Sequence, residues 1–242
     1  MPSESLSPDL PKRFYTVAGV DARPDGFALV LDGRGARTPG RKSLQFPTSA
    51  LAEAVAAEWA AQEGVIDPRQ MPLTRLANSA IDGVADNGEA VAAEIVRYAG
   101  SDLLCYRADH PEKLVTRQTA LWDPVLAWAK AELGARFILA EGVMHVEQPA
   151  AALEAVAARV ERYTEPFALA ALNVMTTLSG SVLLALAVAE GHLSPAEAWT
   201  AAHVDEDSQI EVWGEDEEAS ARREARWLDF AAAARLFALS RT

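Results

Sequence analysis

The feature that most restricts the fold is an uncharged segment of 23 residues, Phe167 to Ala189. A helix of this length can cross a bilayer. However, the segment is rich in alanine, polar residues interrupt it, and no lysine or arginine lies directly beside it as an orientation signal. We therefore expect no stable membrane insertion. Instead, we predict two buried helices, or one helix bent near Ser179 and Gly180, at the centre of a helical bundle.

The net charge of the 242-residue chain is −13. This charge disfavours binding that depends on neutralising phosphates, so we expect no nucleic-acid partner and no anionic bilayer as partner. Cys105 is the single cysteine, and the first residues resemble neither a secretory leader nor an organelle transit peptide. We expect a bacterial cytoplasmic protein.

The first fifty residues alternate β-branched and aromatic residues with glycine and proline, which predicts a small antiparallel sheet. From Thr48 the apolar period becomes helical, with Leu51, Val55 and Trp59 four residues apart. The turn ADNG, residues 85–88, is expected to end a second helical stretch. We therefore predict an α+β fold with a disordered tail (1–12), an N-terminal α+β domain of an antiparallel sheet with a helix (13–85), and a mainly α-helical C-terminal domain (86–242).

Local signals mark several elements in the C-terminal domain. Asp123 followed by Pro124 is predicted to be an N-cap with proline at the first helical position, and Ser194 to Glu197 is predicted to be a capping box. Two short apolar runs predict a hairpin over 136–146.

The chain lacks the signatures of common enzymes. It contains no GxSxG elbow, no Walker loop and no GxGxxG motif after a strand. Its four histidines have no ligand spacing, so we expect no zinc site. Cys105 lies in an apolar run and is expected to be a small core residue rather than a nucleophile. The residues alone therefore predict no hydrolase or nucleotide-dependent activity, and we expect no metal and no cofactor.

Eight carboxylates lie between positions 205 and 218. Asp205, Asp207 and Gln209 fit the first positions of a calcium loop, but Ile210 stands where the loop requires glycine. A metal-dependent enzyme that uses this acidic cluster remains the alternative function.

A helix that begins after Ser194 and continues through the acidic cluster would place one acid in an apolar stripe. The acid is Glu206, and the stripe also contains Trp199, His203, Ile210 and Trp213. A buried carboxylate requires a partner, because desolvating it alone is too costly. Two interpretations are open: an internal ion pair with Arg222, Arg223 or Arg226, or a cation supplied by a partner at a surface anchored by the tryptophans.

Seven short motifs occur in order along the chain: RFYTV, LDGRGARTP, LAEAVAAEWAAQ, IDPRQMPLTRLANSAID, YAGSDLLCYRA, QTALWDPVLAW and a C-terminal pattern of glutamine, tryptophan, glycine and acids. Together they resemble the assembly chaperones specific for the alpha subunit of F-type ATP synthase, the family of mitochondrial assembly factor 2. The resemblance implies a protein without catalysis that binds the free alpha subunit, shields its subunit interface and is displaced by the beta subunit. We expect it to be a monomer when free.

The resemblance also points to two groups of residues. Glu58, Trp59 and Gln62 match the EW..Q motif of the family, and we expect Trp59 mainly to hold the first helix in place. The acidic C-terminal motif is matched by Glu206, Gln209, Trp213 and Gly214, and we expect Glu206 to act in partner binding.

Overall fold

Four short strands near the N-terminus form an antiparallel sheet in the computed structural model, which describes residues 10–142 and 144–241. The strands are β1 (Ala18–Arg23), β2 (Gly26–Leu31), β3 (Arg34–Gly35) and β4 (Gln45–Phe46), and β2 pairs with each of the others. Asp32 and Gly33 connect β2 to β3 with φ angles of 48° and 76°, as tight hairpin turns require. The predicted sheet is confirmed.

Helix α1 (Ser49–Ala60) packs on β1 and β2 of this sheet. The Thr48 side chain caps its first turn by accepting a hydrogen bond from the Leu51 N–H. Leu51 and Val55 are fully buried, and Trp59 is partly buried against the same core. The apolar stripe predicted from the four-residue spacing is therefore present.

The remainder of the described chain is mainly helical. The further helices are α2 (Pro72–Ser79), α3 (Ala85–Tyr98), α4 (Glu112–Trp128), α5 (Ala150–Val160), α6 (Pro166–Ser179), α7 (Val182–Ala189), α8 (Pro195–Ala202), α9 (Val204–Trp213) and α10 (Glu217–Leu239). Single π-helical turns extend α2 over Ala80–Val84 and α4 over Ala129–Leu133. An α+β fold with a helical second part is confirmed.

Helices α6 and α7 are the most buried elements of the helical part. Gly180 ends α6 with a φ of 70°, a conformation that favours glycine, and the Ser181 side chain caps α7 by accepting a hydrogen bond from the Leu184 N–H. The expectation of two buried helices is confirmed. Within residues 10–142 and 144–241, no helix is both long enough and apolar enough to span a membrane.

The predicted domain boundary lies within helix α3, at a kink. The turn ADNG lies inside α3, where Asn87 has φ −133° and ψ 26° and produces a kink instead of an end. The Asn87 side-chain amide donates a hydrogen bond to the Gly83 carbonyl across this kink, at 2.8 Å. One core joins the two parts: the rings of Phe46 in the sheet and Phe167 in α6 lie 5.7 Å apart.

Part of the tail that was predicted to be disordered is ordered. The Pro11 carbonyl accepts a hydrogen bond from the Ile66 N–H at 2.8 Å, and Lys12 pairs with Val65 in an antiparallel bridge. Residues 10–12 thus contact the segment that follows α1. Positions 1–9 of the predicted tail lie outside the described residues.

The prediction of a helix start at Asp123 is wrong, whereas the capping box at Ser194 is confirmed. Helix α4 begins at Glu112, so Pro124 lies inside it. The Trp122 indole N–H donates to the Ala201 carbonyl at 2.7 Å, and Arg107 donates to Asp123 at 2.7 Å. These tertiary contacts hold the segment around Pro124 in the helix despite the lost backbone hydrogen bond.

The predicted hairpin over 136–146 is also wrong for the described residues of that segment. Strand β6 (Ala140–Glu141) pairs in parallel with β5 (Tyr106–Arg107), which lies more than thirty positions earlier. Val143, in the middle of the segment, is outside the described residues. Parallel pairing requires a long connection, which here contains α4.

A buried carboxylate connects the α3–α4 region with α7. Asp102 is fully buried and accepts hydrogen bonds from the Leu104 and Leu183 N–H groups, each at 3.1 Å. Burial raises the pKa of Asp102 to about 6, although these hydrogen bonds and one with Ser181 oppose the shift. Cys105 nearby is buried, as expected, and burial raises the pKa of its thiol to about 12.

We expect Asp102→Asn to change how stability depends on pH. The pKa of Asp102 is near 6 in the fold and about 4 in the unfolded chain, so the folded state binds more protons between these values. The Asp102 contribution to the free energy of unfolding therefore falls as pH rises from 4 through 6 and stays low above that. Urea unfolding at several pH values should show the wild type gaining stability relative to Asp102→Asn from pH 7 to pH 5. Asp25→Asn changes an exposed acid and is the control. Its plot of unfolding free energy against pH should run parallel to that of the wild type.

Candidate functional site

The residues of the acidic C-terminal motif lie along a groove between α9 and α10. The stripe predicted for one continuous helix is wrong, because the backbone breaks at His203, with φ −116°, between α8 and α9. His203 is buried, and its Nδ1 lies 2.8 Å from the Trp199 carbonyl. The break changes the direction in which every later side chain points, and Glu206 is exposed instead of buried.

Glu206 has no internal ion pair with the arginines that were considered for it. Arg223 forms an ion pair with Asp207, Arg222 with Glu218, and Arg226 donates to the Leu178 carbonyl at 2.9 Å. Glu206 makes no hydrogen bond or ion pair with any described residue, but its charge acts on His203. The internal ion pair is therefore contradicted, and the Glu206 carboxylate remains available at the surface.

Burial dominates the titration of His203 at the base of this region. Desolvation lowers the pKa of the imidazole, opposed by the Trp199 carbonyl and the Glu206 charge and aided by Arg223 and Arg226. The imidazole ring lies against Trp199, with ring centroids 3.9 Å apart. His203 is therefore a buried packing residue at the break between α8 and α9.

Most of the other acids of the cluster have contacts that fix the two helices. Gln118 donates to Asp205 at 2.7 Å, Lys113 and Arg117 both contact Glu211 at 2.6 Å, and Asp216 caps α10. Glu215 accepts from the Ser220 hydroxyl. Among the eight acids, only Glu206 and Glu217 make no hydrogen bond or ion pair with a described residue.

The groove has a volume of about 940 Å³ and combines aromatic and charged groups. Trp199 and Trp227, with ring centroids 5.7 Å apart, line it together with Ile210. At its mouth Trp213 is 85% exposed, more than any other large apolar side chain of the described chain. Gly214, with φ 86°, ends α9 directly after this tryptophan. Gln209 and Glu206 complete the motif on the same groove.

The sequence pattern did not indicate Trp227, which belongs to this groove, or the exposed Val212 beside it. Ile210 and Val212 are 37% and 65% exposed on α9, and Trp227 lines the groove from α10. A helical projection started at Val204 instead of Ser194 would have placed Ile210 and Trp213 outside the core.

Most positions of the segment that was compared with a calcium loop are helical, because they lie in helix α9. In the part of the chain that the structure describes, no three His, Cys, Asp or Glu side chains are grouped to hold a metal ion. The alternative of a metal-dependent enzyme at 205–218 therefore has no geometric support.

The EW..Q motif lies at the other end of the chain and makes internal contacts. Glu58 caps α2 by accepting hydrogen bonds at 2.8 Å from the Leu73 and Thr74 N–H groups and from the Thr74 hydroxyl. Burial raises the pKa of Glu58, opposed by these bonds. Gln62 is buried, accepts from the Asp67 N–H at 2.7 Å and donates to the Glu58 carbonyl.

Trp59 holds the N-terminal segment against α1. Its carbonyl accepts a hydrogen bond from the Tyr15 hydroxyl at 2.6 Å, and the two rings lie 5.6 Å apart. Its indole N–H is buried without a hydrogen-bond acceptor. None of Glu58, Trp59 and Gln62 lines the groove between α9 and α10.

Comparisons with known proteins agree with this architecture. A family model described as ATP12 chaperone protein matches residues 12–130. The structure is similar to a candidate chaperone from Agrobacterium tumefaciens, with 53% identity, a TM-score of 0.91, and coverage of 95% of this chain and 86% of that one. It is also similar to Atp12 from Paracoccus denitrificans, with 44% identity, a TM-score of 0.90, and coverage of 96% and 99%. A point variant of the Paracoccus protein matches equally well, at 44% identity and a TM-score of 0.90.

The match to Paracoccus Atp12 extends over nearly the full length of both chains. The chain therefore belongs to the ATP12 chaperone family of ATP synthase assembly.

Proposed function

We propose that this protein is a cytoplasmic chaperone that binds the free alpha subunit of F-type ATP synthase. It shields the interface of that subunit and leaves when the beta subunit takes its place. It acts by binding alone, without catalysis or a cofactor, and is a monomer when free. The groove between α9 and α10 is the contact surface for the alpha subunit.

The observation that carries this proposal is the exposure of Trp213 beside an available carboxylate. An indole that is 85% exposed contributes little to the stability of the fold. It is, however, the kind of side chain that anchors protein interfaces. Glu206, on the same groove, supplies a charge with no internal partner. A partner surface with an apolar recess beside a lysine or arginine would satisfy both groups.

The charge of the groove suits a chaperone that must release its client. The acids around α9 attract a cationic surface and accelerate encounter. Only a few aromatic residues then become buried, so the affinity stays moderate. Because the beta subunit competes for the same surface of the alpha subunit, moderate affinity allows displacement by mass action.

Co-expression with the cognate alpha and beta subunits tests this proposal. We expect affinity purification of the chaperone to recover a one-to-one complex with the alpha subunit and no beta subunit. Adding purified beta subunit to that complex should release the chaperone. Recovery of the beta subunit alone, or of neither subunit, would refute the proposal.

We expect Glu206→Gln to weaken binding of the alpha subunit about tenfold while leaving the melting temperature unchanged, because the exposed carboxylate has no partner in the fold. Loss of one well-placed charged contact is worth about 1–2 kcal/mol at an interface. Glu206→Lys should weaken binding further by repelling the partner cation. Titration calorimetry and thermal melts give both quantities.

Glu217→Gln is the matched control, since this acid belongs to the same cluster, also lacks a described partner and does not line the groove. Its binding should stay within about twofold of the wild type. Equal losses from both variants would show that bulk charge matters and that Glu206 has no special role.

A further inference from the structure

The N-terminal sheet region has a charge opposite to that of the rest of the chain. Residues 10–47 contain seven lysines and arginines against three aspartates, although the chain as a whole carries −13. The cations are Lys12, Arg13, Arg23, Arg34, Arg37, Arg41 and Lys42. Asp82 and Asp86 of the helical part contact the turn over 38–42. Because the salt of the cell screens surface charges beyond about 8 Å, the region keeps a local excess of cations.

Within this region lies an aromatic pocket of about 590 Å³, between the β2–β3 turn and the end of α1. Tyr15 and Trp59 line it, with ring centroids 5.6 Å apart. Phe14 lines the same pocket and is 72% exposed, and Arg34 and Arg37 also line it. Aromatic rings beside two guanidinium groups form a surface suited to an apolar side chain next to a carboxylate.

The two arginines that line this pocket, and Arg41 next to Arg37, are not neutralised within the described chain. Arg34, Arg37 and Arg41 form no ion pair with a described residue, whereas Arg23 pairs with Asp21 and Lys42 with Asp86. Arg37 instead donates to the Arg41 carbonyl at 2.9 Å.

The one acid on the pocket wall, Asp32, is occupied by backbone amides. It accepts hydrogen bonds from the Thr16 N–H at 3.0 Å and the Val17 N–H at 2.8 Å, and these lower its pKa. Its charge still attracts Arg34, but its oxygens are committed to the backbone. The guanidinium groups can therefore pair with carboxylates from outside.

The turn that carries Arg41 supports the same interpretation. Arg41 has a φ of 64°, in the left-handed region that favours glycine or asparagine. Its N–H donates to the Thr38 carbonyl and thereby closes the turn. An arginine here is strained, with no compensating ion pair among the described residues, and strain of this kind accumulates at functional sites.

We propose that this basic pocket is a second contact for the alpha subunit, and that it binds an acidic segment of that subunit in which an apolar side chain stands next to a carboxylate. The inference rests on the proposed function. Two arginines without an ion pair and three aromatic rings line this pocket, so its guanidinium groups can pair with the carboxylate of such a segment while the rings pack against the apolar side chain.

One rigid core connects the two contact surfaces. Helix α10 begins beside the groove and extends roughly 35 Å at 1.5 Å per residue. It ends against α1, where the Thr48 hydroxyl donates to the Leu239 carbonyl at 2.6 Å. Two weak contacts held at a fixed distance can together give the moderate affinity that the chaperone needs, and losing either contact weakens the complex.

The first test compares two double variants with the same change in charge. Arg34→Glu with Arg37→Glu reverses the pocket, whereas Lys12→Glu with Arg23→Glu reverses two exposed cations of the same region that do not line it. We expect the pocket variant to bind the purified alpha subunit at least tenfold more weakly and the control less than threefold. Raising the salt concentration should reduce the difference in affinity for the alpha subunit between the pocket variant and the wild type.

Each outcome of this test has a distinct meaning. Equal affinities of the two double variants, with a tight wild-type complex, would overturn the second contact and leave the proposed function intact. A wild type that does not bind the alpha subunit would overturn both.

Arg41→Gly is a variant in which a loss of binding could not be attributed to poor folding. Glycine relieves the left-handed strain, so we expect a higher melting temperature together with an affinity for the alpha subunit lowered about threefold. A rise in stability with unchanged affinity would place Arg41 outside the contact.

A photo-crosslinker in place of Phe14 identifies the occupant of the pocket. We expect the crosslinked peptide from the alpha subunit to contain aspartate or glutamate. Crosslinks confined to segments without acids would overturn the proposal. So would arginine-dependent binding of duplex DNA, or of vesicles of phosphatidylserine and phosphatidylcholine, in place of the alpha subunit.

Discussion

Trp59→Arg is expected to lower the free energy of unfolding by about 3–5 kcal/mol, the range for losing a large packed aromatic side chain. The indole packs against both hydrophobic clusters of the protein and against the ring of Tyr15. An arginine in its place would bring a charge into this packed region. It would also lie beside Arg13, whose guanidinium already stacks over Tyr15 at 4.7 Å.

A loss of this size is a large part of the 5–15 kcal/mol that stabilises a typical domain. Urea unfolding and thermal melts should show it as a melting temperature lowered by roughly 10 °C, and much of the variant should be insoluble on expression. Trp59→Phe is the control, because it keeps an aromatic ring and removes an N–H that has no acceptor. It should retain most of the stability. If Trp59→Arg melts like the wild type and still fails to bind the alpha subunit, Trp59 is a contact residue.

Local sequence signals predicted those elements that local interactions determine. The capping box at Ser194 and the interruption of the apolar segment at Gly180 are confirmed, because each depends on hydrogen bonds or backbone angles within a few residues. The stripe of α1 is also confirmed, since a helix with apolar residues on one side must cover the sheet that precedes it.

The predictions that failed depended on contacts between distant parts of the chain. Pro124 stays inside α4, where tertiary contacts of its neighbours hold the helix. Strand β6 finds its partner in β5 across α4, which no local pattern near 136–146 could indicate. The prediction that Glu206 lies in a buried stripe failed for a different reason. It assumed one continuous helix, but the backbone breaks at His203, and Glu206 is therefore exposed.

This correction changes the interpretation of the acidic C-terminal motif. With Glu206 buried, an internal ion pair would have accounted for the acid without any partner. With Glu206 exposed and Arg222, Arg223 and Arg226 engaged elsewhere, the carboxylate has no hydrogen bond or ion pair with a described residue. The interpretation that requires a partner is the one that the geometry favours.

Trp213→Ala is expected to weaken binding of the alpha subunit about thirtyfold, or about 2 kcal/mol, as is typical of an aromatic hot spot. Because Trp213 is 85% exposed, the melting temperature should not change by more than about 1 °C. Titration of the alpha subunit into each variant measures the affinity. In addition, tryptophan fluorescence of the wild type should shift to shorter wavelength on binding, and this shift should be smaller in Trp213→Phe.

Val212→Ala is the matched control for this variant, since Val212 lies next to Trp213, is 65% exposed and does not line the groove. Its affinity should stay within about twofold of the wild type. In the double variant with Glu206→Gln, the combined loss should be smaller than the sum of the single losses, because both side chains contact one patch of the partner. If Trp213→Ala and Val212→Ala bind alike, the groove is not the contact surface and the alpha subunit must bind elsewhere on the chaperone.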